Sequence, residues 1–287
     1  MVASVVVVGD ALLDVLAAPT EPVRPGADVP ASVRLAAGGQ GANVAVRLAR
    51  RGVAVELVCA LADDPAGRLL QETLAAERVR VRPLAADATG AVVVLVDAAG
   101  ERTMLSHRVP LAPRLGAAPG MAADWVVVSG YLLLEPGAGR VASAVRRWAP
   151  HRMLLGCAVP HASLDAWERA ARELDPDVVV LNRDEADRLP GLFGDRLVVT
   201  ETGGATGVIG EVRATVATPA GPSATDTTGA GDAFAAAFLA ELLDAWPPDA
   251  DALHRALQTG ATSGAAATRV AGAQGRIPGE GSAMVDP

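Results

Sequence analysis

The sequence predicts an α/β fold, layered around a largely parallel sheet, and three observations lead there. Short runs of Val and Leu recur without polar alternation, as strands buried on both faces require. Segments of helical periodicity separate them and set up a βαβ rhythm. Hydrophobic residues make up 51% of the chain and charged residues 20%, enough apolar surface for a sizeable core and too little charge for a disordered chain.

The strands are expected, in order, at 4–10 (SVVVVGD), 53–61 (VAVELVCAL), 124–130 (DWVVVSG), 152–159 (RMLLGCAV), 177–182 (DVVVLN) and 196–201 (RLVVTE). Helices are expected between and after them at 41–51, 65–77, 138–149, 163–173 and 183–189. Two more follow at 230–245 and 249–268, parted by WPPDAD, whose prolines stop the first. Residues 11–37 and 90–106 break the rhythm. The first holds ALLDVLA and ASVRLAA around a Pro/Gly-rich loop; the second holds two apolar runs around DAAGE, a hairpin turn. Those strands are expected to form a small separate sheet. GEGSAMVDP at the C-terminus reads as a loose tail, and no internal repeat is visible.

Length and charge exclude several function classes. A chain of 287 residues holds one large α/β domain or two ordinary ones. A net charge of −8 leaves no electrostatic footprint for nucleic acid or an anionic membrane. No apolar run is long enough to span a bilayer. The opening MVASVVVVGDALLDV lacks a charged start and reads as a buried strand rather than a signal peptide, so the cytoplasm is the expected location. Cys59 and Cys157 sit in apolar contexts without a CxxC or Cys/His cluster, which disfavours zinc or a disulfide framework. All 25 basic residues are arginine. A chain without lysine cannot carry a P-loop, a protein-kinase lysine or a Schiff base.

Four stretches offer chemistry. In DTTGAGDAF, Gly229, Ala230 and Gly231 stand where a helix begins. Small residues let a ligand approach the backbone, and the free N–H groups of a first turn suit a phosphate. Asp232 is then either a proton acceptor beside that phosphate or an ordinary acid at a helix N-terminus. In AAGGQGANVAVRLARRG, Gly38, Gly39 and Gly41 crowd a strand-to-helix junction. Asn43 there suits sugar hydroxyls or caps its own turn. In VVVLNRDEADRL, Asn182 and Glu185 share a helix face; they suit a hydrated Mg²⁺, or a capping box, which the spacing favours. Asp14 interrupts the apolar LLDVLAA, so it needs a partner or sits at a strand's carboxyl end, where α/β ligands bind.

Taken together, GGQGANVAVRLARRG, NRDE and, about 180 residues after the first, DTTGAGDAFAAAF resemble the signatures of the ribokinase (PfkB) family of carbohydrate kinases. The resemblance runs from Val5 to about Pro278. It implies a single three-layer α/β/α ribokinase-like sandwich over 1–287 with a small β-sheet lid, matching 11–37 and 90–106, and a homodimer through that lid. It implies an ATP-dependent kinase that transfers the γ-phosphate to a sugar hydroxymethyl group, with Mg²⁺ and K⁺ as companions of ATP. Asp232 would be the catalytic base and Gly229, Ala230 and Gly231 the anion hole. Asp14, Gly38, Gly39, Asn43 and Glu135 (in GYLLLEPG) would hold the substrate. Asn182, Thr200, Gly203, Thr228, Gly229 and Gly231 would bind ATP. Asn182 and Glu185 would organise Mg²⁺ through water, and Asp226 with Thr228 would enclose the monovalent cation.

The chain departs from the family pattern in places. Gln40 replaces a lysine, Leu12 an asparagine, and ETGGATG follows Thr200 where LGxxG is usual. TRVAGAQGRIP carries one extra residue, and Arg276 near a position usually small. Arg102 and His107 are either substrate-anion contacts or solvated side chains. The alternatives are a nucleoside or pseudouridine kinase of the same fold and a non-catalytic sugar-binding regulator. A dehydrogenase lacks its GxGxxG, since GDALLD follows the first strand.

Overall fold

Four consecutive valines have no polar face to offer water, so Ser4–Val8 (β1) becomes the centre of a sheet covered on both sides. Val5 and Val7 enter one buried cluster, Val6 and Val8 the other. The computed structural model describes residues 3–97, 102–118, 120–218, 224 and 226–281. In it a nine-stranded sheet runs β13-β12-β11-β10-β9-β8-β1-β4-β5. Its strands besides β1 are Ala54–Leu61 (β4), Arg80–Ala85 (β5), Trp125–Val128 (β8), His151–Leu155 (β9), Val178–Asn182 (β10), Arg196–Glu201 (β11), Gly204–Ile209 (β12) and Val212–Ala217 (β13). β5 through β11 pair in parallel, while β12 and β13 add an antiparallel edge.

Helices cover both faces. Gln40–Arg50 (α1), Ala230–Leu242 (α6) and Ala250–Ala267 (α7) contribute to the cluster with Val5 and Val7. Pro65–Ala76 (α2) adds Leu70 and Leu74 to it. Gly139–Val145 (α3), Leu164–Leu174 (α4) and the short Arg183–Arg188 (α5) lie on the opposite face, where Trp148 and Trp167 are buried. A second sheet, ordered β3-β2-β6-β7, consists of Leu12–Pro19 (β2), Ala31–Gly38 (β3), Ala91–Val96 (β6) and Arg102–His107 (β7). The expected α/β/α sandwich with a small extra sheet is the observed architecture. The DAAGE turn lies mostly outside the described residues.

Expectation and structure differ at several elements. β5, β12 and β13 are not foreseen by the strand pattern, because edge strands such as RVRPLA and VRATVA are half polar and lack an all-apolar signature. The helix expected over 138–149 ends at Val145, and turns carry the chain on to Trp148. Strands expected at 124–130 and 152–159 stop at Val128 and Leu155, because the chain leaves the sheet there to build loops at the strands' carboxyl ends.

Those loops define a location. From β1 the strand order proceeds to β4 on one side and β8 on the other, a switch point where open α/β sheets receive ligands. Asp10, Ser129, Gly156 and Asn182 end or follow within two residues β1, β8, β9 and β10. Gln40 ties this edge together: its Nε2 donates to Gly156 O at 2.8 Å and its Oε1 accepts from Ser129 Oγ at 2.6 Å. Cys59 and Cys157 are free and buried, and lost hydration pushes both thiols up to about 12. They are inert packing residues.

Candidate active site

The turn before α6 needs glycine. Gly229 has φ 76°, and a Cβ there would lie 2.8 Å from Ala273 Cα, so a side chain meets both backbone strain and a clash. Beyond it the first turn of α6 presents amides without intrahelical acceptors; Ala230 N has only a 3.3 Å turn contact with Thr227 O. Asp232 sits in that same turn. Protein surrounds most of its carboxylate, and this lost hydration, with Asp10 nearby, pushes its pKa up to about 7 against the opposing pull of Asn43 and Arg47.

Asn43 is brought to Asp232 by α1, and the local-cap reading does not hold. Its side chain does not cap α1; Nδ2 donates to Asp232 Oδ2 at 2.8 Å. Gln274 Nε2 donates to Asn43 Oδ1 at 3.1 Å, which fixes the amide's orientation. Gln274 is held in turn by the segment it belongs to. Arg50 Nη1 donates to Gln274 O at 2.8 Å, and Arg47 Nη2 to Ala273 O at 2.8 Å. Arg47 also pairs with Glu280 at 2.7 Å, both side chains 1% exposed. Gln274 escapes sequence reading because its partner lies 231 residues away.

On the side of the small sheet, Asp14 projects from β2 and lies against Gly38, where a Cβ would overlap its carboxylate. Burial first, then Asp10, raises the Asp14 pKa to about 6 against Arg108. Gly39 has φ 95°, and a Cβ there would stand 2.6 Å from Asp10 O. Leu12 is buried with Val92 and Val94 at the base of the small sheet, a packing role rather than a polar one. Asp10 and Arg108 carry no motif that marks them in the sequence. Asp10 accepts from Gly41 N at 3.3 Å and pairs with Arg108. The Arg108 guanidinium lies 4.0 Å from the centroid of the Tyr131 ring. Glu135 accepts from Leu111 N at 2.7 Å and Ala112 N at 2.6 Å, so its carboxylate anchors the loop that carries Arg108.

On the other side of Asp232 lies a cavity of about 970 Å³. Asn182, Thr200, Gly203, Ala230 and Gly231 line it, as does Thr227 rather than Thr228. ETGGATG is the β11–β12 hairpin, and its Thr202–Gly203 turn forms one wall. The opposite wall is a small-residue face of α7, Ala261, Gly264, Ala265 and Thr268, joined by Phe234 of α6. The 3/4 spacing of ATSGAAAT is the signal in the sequence that marks this wall.

Asn182 and Glu185 form the capping box: Asn182 Oδ1 accepts from Glu185 N and Glu185 Oε2 from Asn182 N, each at 2.9 Å. Glu185 also lies where a Cβ on Gly156 would stand, and burial holds its pKa above the usual range. Its Oε1 has no hydrogen bond among the described residues. A carboxylate oxygen left free, close in the chain to the cavity-lining Asn182 and Asp184, would suit a water-mediated hold on Mg²⁺, which would supply charge neutralisation for phosphate. Among the described residues, no three His, Cys, Asp or Glu side chains converge into a direct metal cage.

Asp226 is differently engaged. It accepts from Thr228 N at 2.8 Å, from Gly272 N at 2.8 Å and from Arg102 Nη2 at 2.7 Å. Burial alone would raise its pKa; these three donors, together with the Thr228 hydroxyl, bring it down to about 2. Arg102 is thus committed to a carboxylate of the chain itself. Arg276 points away, donating to Gly281 O at 3.1 Å and approaching Glu77 at 3.4 Å.

Comparisons with known proteins agree with this layout. Residues 2–279 match the family described as pfkB family carbohydrate kinase. A fructokinase of Klebsiella pneumoniae is 33% identical over 276 residues, covering 84% of this chain and 88% of the relative. A fructokinase of Salmonella typhimurium is 31% identical over 313 residues, covering 97% of each. Ribokinase from Thermotoga maritima superposes with a TM-score of 0.77 at 18% identity, covering 97% of this chain and 96% of that one. With its two signatures meeting at one point of the sheet, the chain belongs to the pfkB family of carbohydrate kinases and is a phosphotransferase acting on a sugar hydroxyl.

Proposed function

We propose that the protein uses ATP to phosphorylate the hydroxymethyl group of a neutral sugar, a ketohexose such as fructose, within one kinase domain spanning 1–287. The observation that carries this reading is the position of Asp232. Its carboxylate, held by Asn43, stands at the helix N-terminus that also borders the 970 Å³ cavity. Fructokinases among the relatives support the sugar. So does the charge around it, since Asp10, Asp14 and Asp232 gather where Arg108 is a counter-ion. Carboxylates accept from sugar hydroxyls and repel a sugar acid.

In this reading Asp232 takes the proton of the attacking hydroxyl, and a pKa near 7 suits a base working near neutrality. The amides of Gly229, Ala230 and Gly231 face the transferred phosphoryl group, whose charge they stabilise without a lysine. Asp14, Gly38, Gly39 and Asn43 surround the sugar. Glu135 acts on it through the loop that carries Arg108. ATP occupies the cavity lined by Asn182, Thr200, Gly203 and Gly231, with Thr228 and Gly229 supporting the turn behind it. Mg²⁺, held through water by Asn182 and Glu185, neutralises phosphate charge when bound.

The small sheet supports a homodimer. β2, β3, β6 and β7 expose an apolar face on which Val33 is 59%, Leu35 57% and Leu105 60% accessible, with Val15 and Val93 between them in register. A second copy of the chain covers that face in this reading. No described helix is long and apolar enough to cross a membrane, and we place the enzyme in the cytoplasm. Measuring ADP release with pentoses, hexoses, sugar acids and nucleosides tests the substrate. A ketohexose should give the highest kcat/KM. Preference for a sugar acid would refute the charge argument, and preference for a nucleoside the sugar assignment.

A further inference from the structure

Family resemblance assigns Asp226 and Thr228 to a monovalent cation, and the donor set here does not suit one. Asp226 Oδ2 already accepts from Gly272 N and from Arg102 Nη2, and Oδ1 accepts from Thr228 N. These three partners are N–H groups, which offer a cation no lone pair. The guanidinium is itself a permanent positive charge, so a K⁺ ion at this carboxylate would be repelled at contact distance. The pair is also shielded, with side chains 26% and 6% exposed.

Asp226 holds two backbone strands together. Through Thr228 N it fixes the approach to the glycine turn, and through Gly272 N the segment against which Gly229 packs at Ala273. Its own N–H donates to Thr268 O at 2.9 Å, beside the cavity wall. An unneutralised carboxylate here would stand close to the amides that receive phosphate, and its charge would oppose the incoming anion. Some cation must offset it. Arg102 supplies that charge from the first residue of β7, in the small sheet rather than the main one.

We propose that Arg102 is a positioning residue which takes the place of a monovalent cation: its guanidinium neutralises Asp226 and so fixes the turn at Gly229–Gly231, leaving the enzyme independent of K⁺. The inference rests on the reading that this turn meets the transferred phosphoryl group. It also ties the turn to the small sheet, because the neutralising charge arrives only when that sheet is docked.

The test compares K⁺ with N-methylglucamine as chloride salts at equal ionic strength, reading both initial rates with fructose and Mg-ATP and thermal melting without substrates. The wild-type protein should give the same turnover and the same Tm in both salts. Arg102→Met should lower kcat by roughly tenfold or more while the sugar KM moves less than about threefold, as loss of transition-state positioning requires. That variant should gain a Tm rise specific to K⁺, since an ion that binds only the folded chain stabilises it, and K⁺ should restore part of its kcat. Arg102→Lys should recover most of the turnover without K⁺. K⁺-specific activation or K⁺-specific stabilisation of the wild type would overturn the inference, as would unchanged kcat in Arg102→Met. If no sugar is phosphorylated, the proposed function fails while the melting comparison still decides the cation question.

Discussion

Replacing Asp232 by Asn removes one charge and almost no volume, and activity and stability should respond in opposite directions. Burial raises this carboxyl from 3.8 to about 7 in the folded protein. A folded-state pKa above the unfolded value gives a contribution to stability that is complete below about pH 4 and lost as pH rises through about 7. Asn behaves as the permanently protonated form. The rise from 3.8 to about 7 corresponds to about 4 kcal/mol once the group is fully ionised. Solvent that still reaches the carboxylate makes this an upper figure. Between about pH 5.5 and 8 the variant's advantage should grow by up to about 2 kcal/mol, a few degrees in Tm. Meanwhile kcat should fall by about 10²–10⁴-fold, the usual contribution of a general base, and the wild-type rise in kcat through about pH 7 should vanish. Coupled ADP-release kinetics and melting curves at matched pH read both effects. Asp232→Asn with normal turnover, or with a pH limb intact, would refute the base; equal Tm differences at both pH values would refute the raised pKa.

Gly38→Ala should raise the sugar KM by about tenfold or more with the ATP KM unchanged, because its Cβ would overlap the Asp14 carboxylate; steady-state kinetics in each substrate separates the two. In the proposed site Asp14 accepts from sugar hydroxyls most strongly when ionised, so the wild-type sugar KM should climb as pH falls below about 6 and flatten in Asp14→Asn. Glu280→Gln leaves the buried Arg47 charge without its counter-charge and should cost about 3–5 kcal/mol, seen as a Tm loss of roughly 6–15 °C. Leu35→Glu with Leu105→Glu should convert the proposed dimer to monomer in sedimentation velocity, since both side chains stand on the exposed apolar face.

The fold is largely legible because parallel strands announce themselves. VVVV, LVCA, VVVL and LVVT have one environment available, a sheet covered on both faces. Edge strands do not announce themselves, since one side of RVRPLA or VRATVA faces solvent and the polar residues break the pattern. The glycine turns are legible for a similar reason: Gly229 and Gly39 have positive φ and backbone neighbours that exclude a side chain. Asn182 and Glu185 are readable as a capping box from spacing alone, and the structure contains that box.

The long-range partners are not legible. Asn43 and Asp232 are 189 residues apart, and nothing in either motif states that one donates to the other. Arg102 reads from sequence as a ligand contact or a solvated side chain; its engagement with Asp226 follows from the docking of the small sheet. Glu135, expected at the sugar, is drawn instead to two backbone amides. Local chemistry, the strand pattern, the glycine turns and the acid at the start of α6 follow from residue type and spacing, because backbone sterics and hydrogen-bond capacity act over a few residues. Which carboxylate is raised, which is neutralised and which is spent on a loop depends on burial and on charges brought together from distant segments, and the electrostatic environment exists only once the chain has folded.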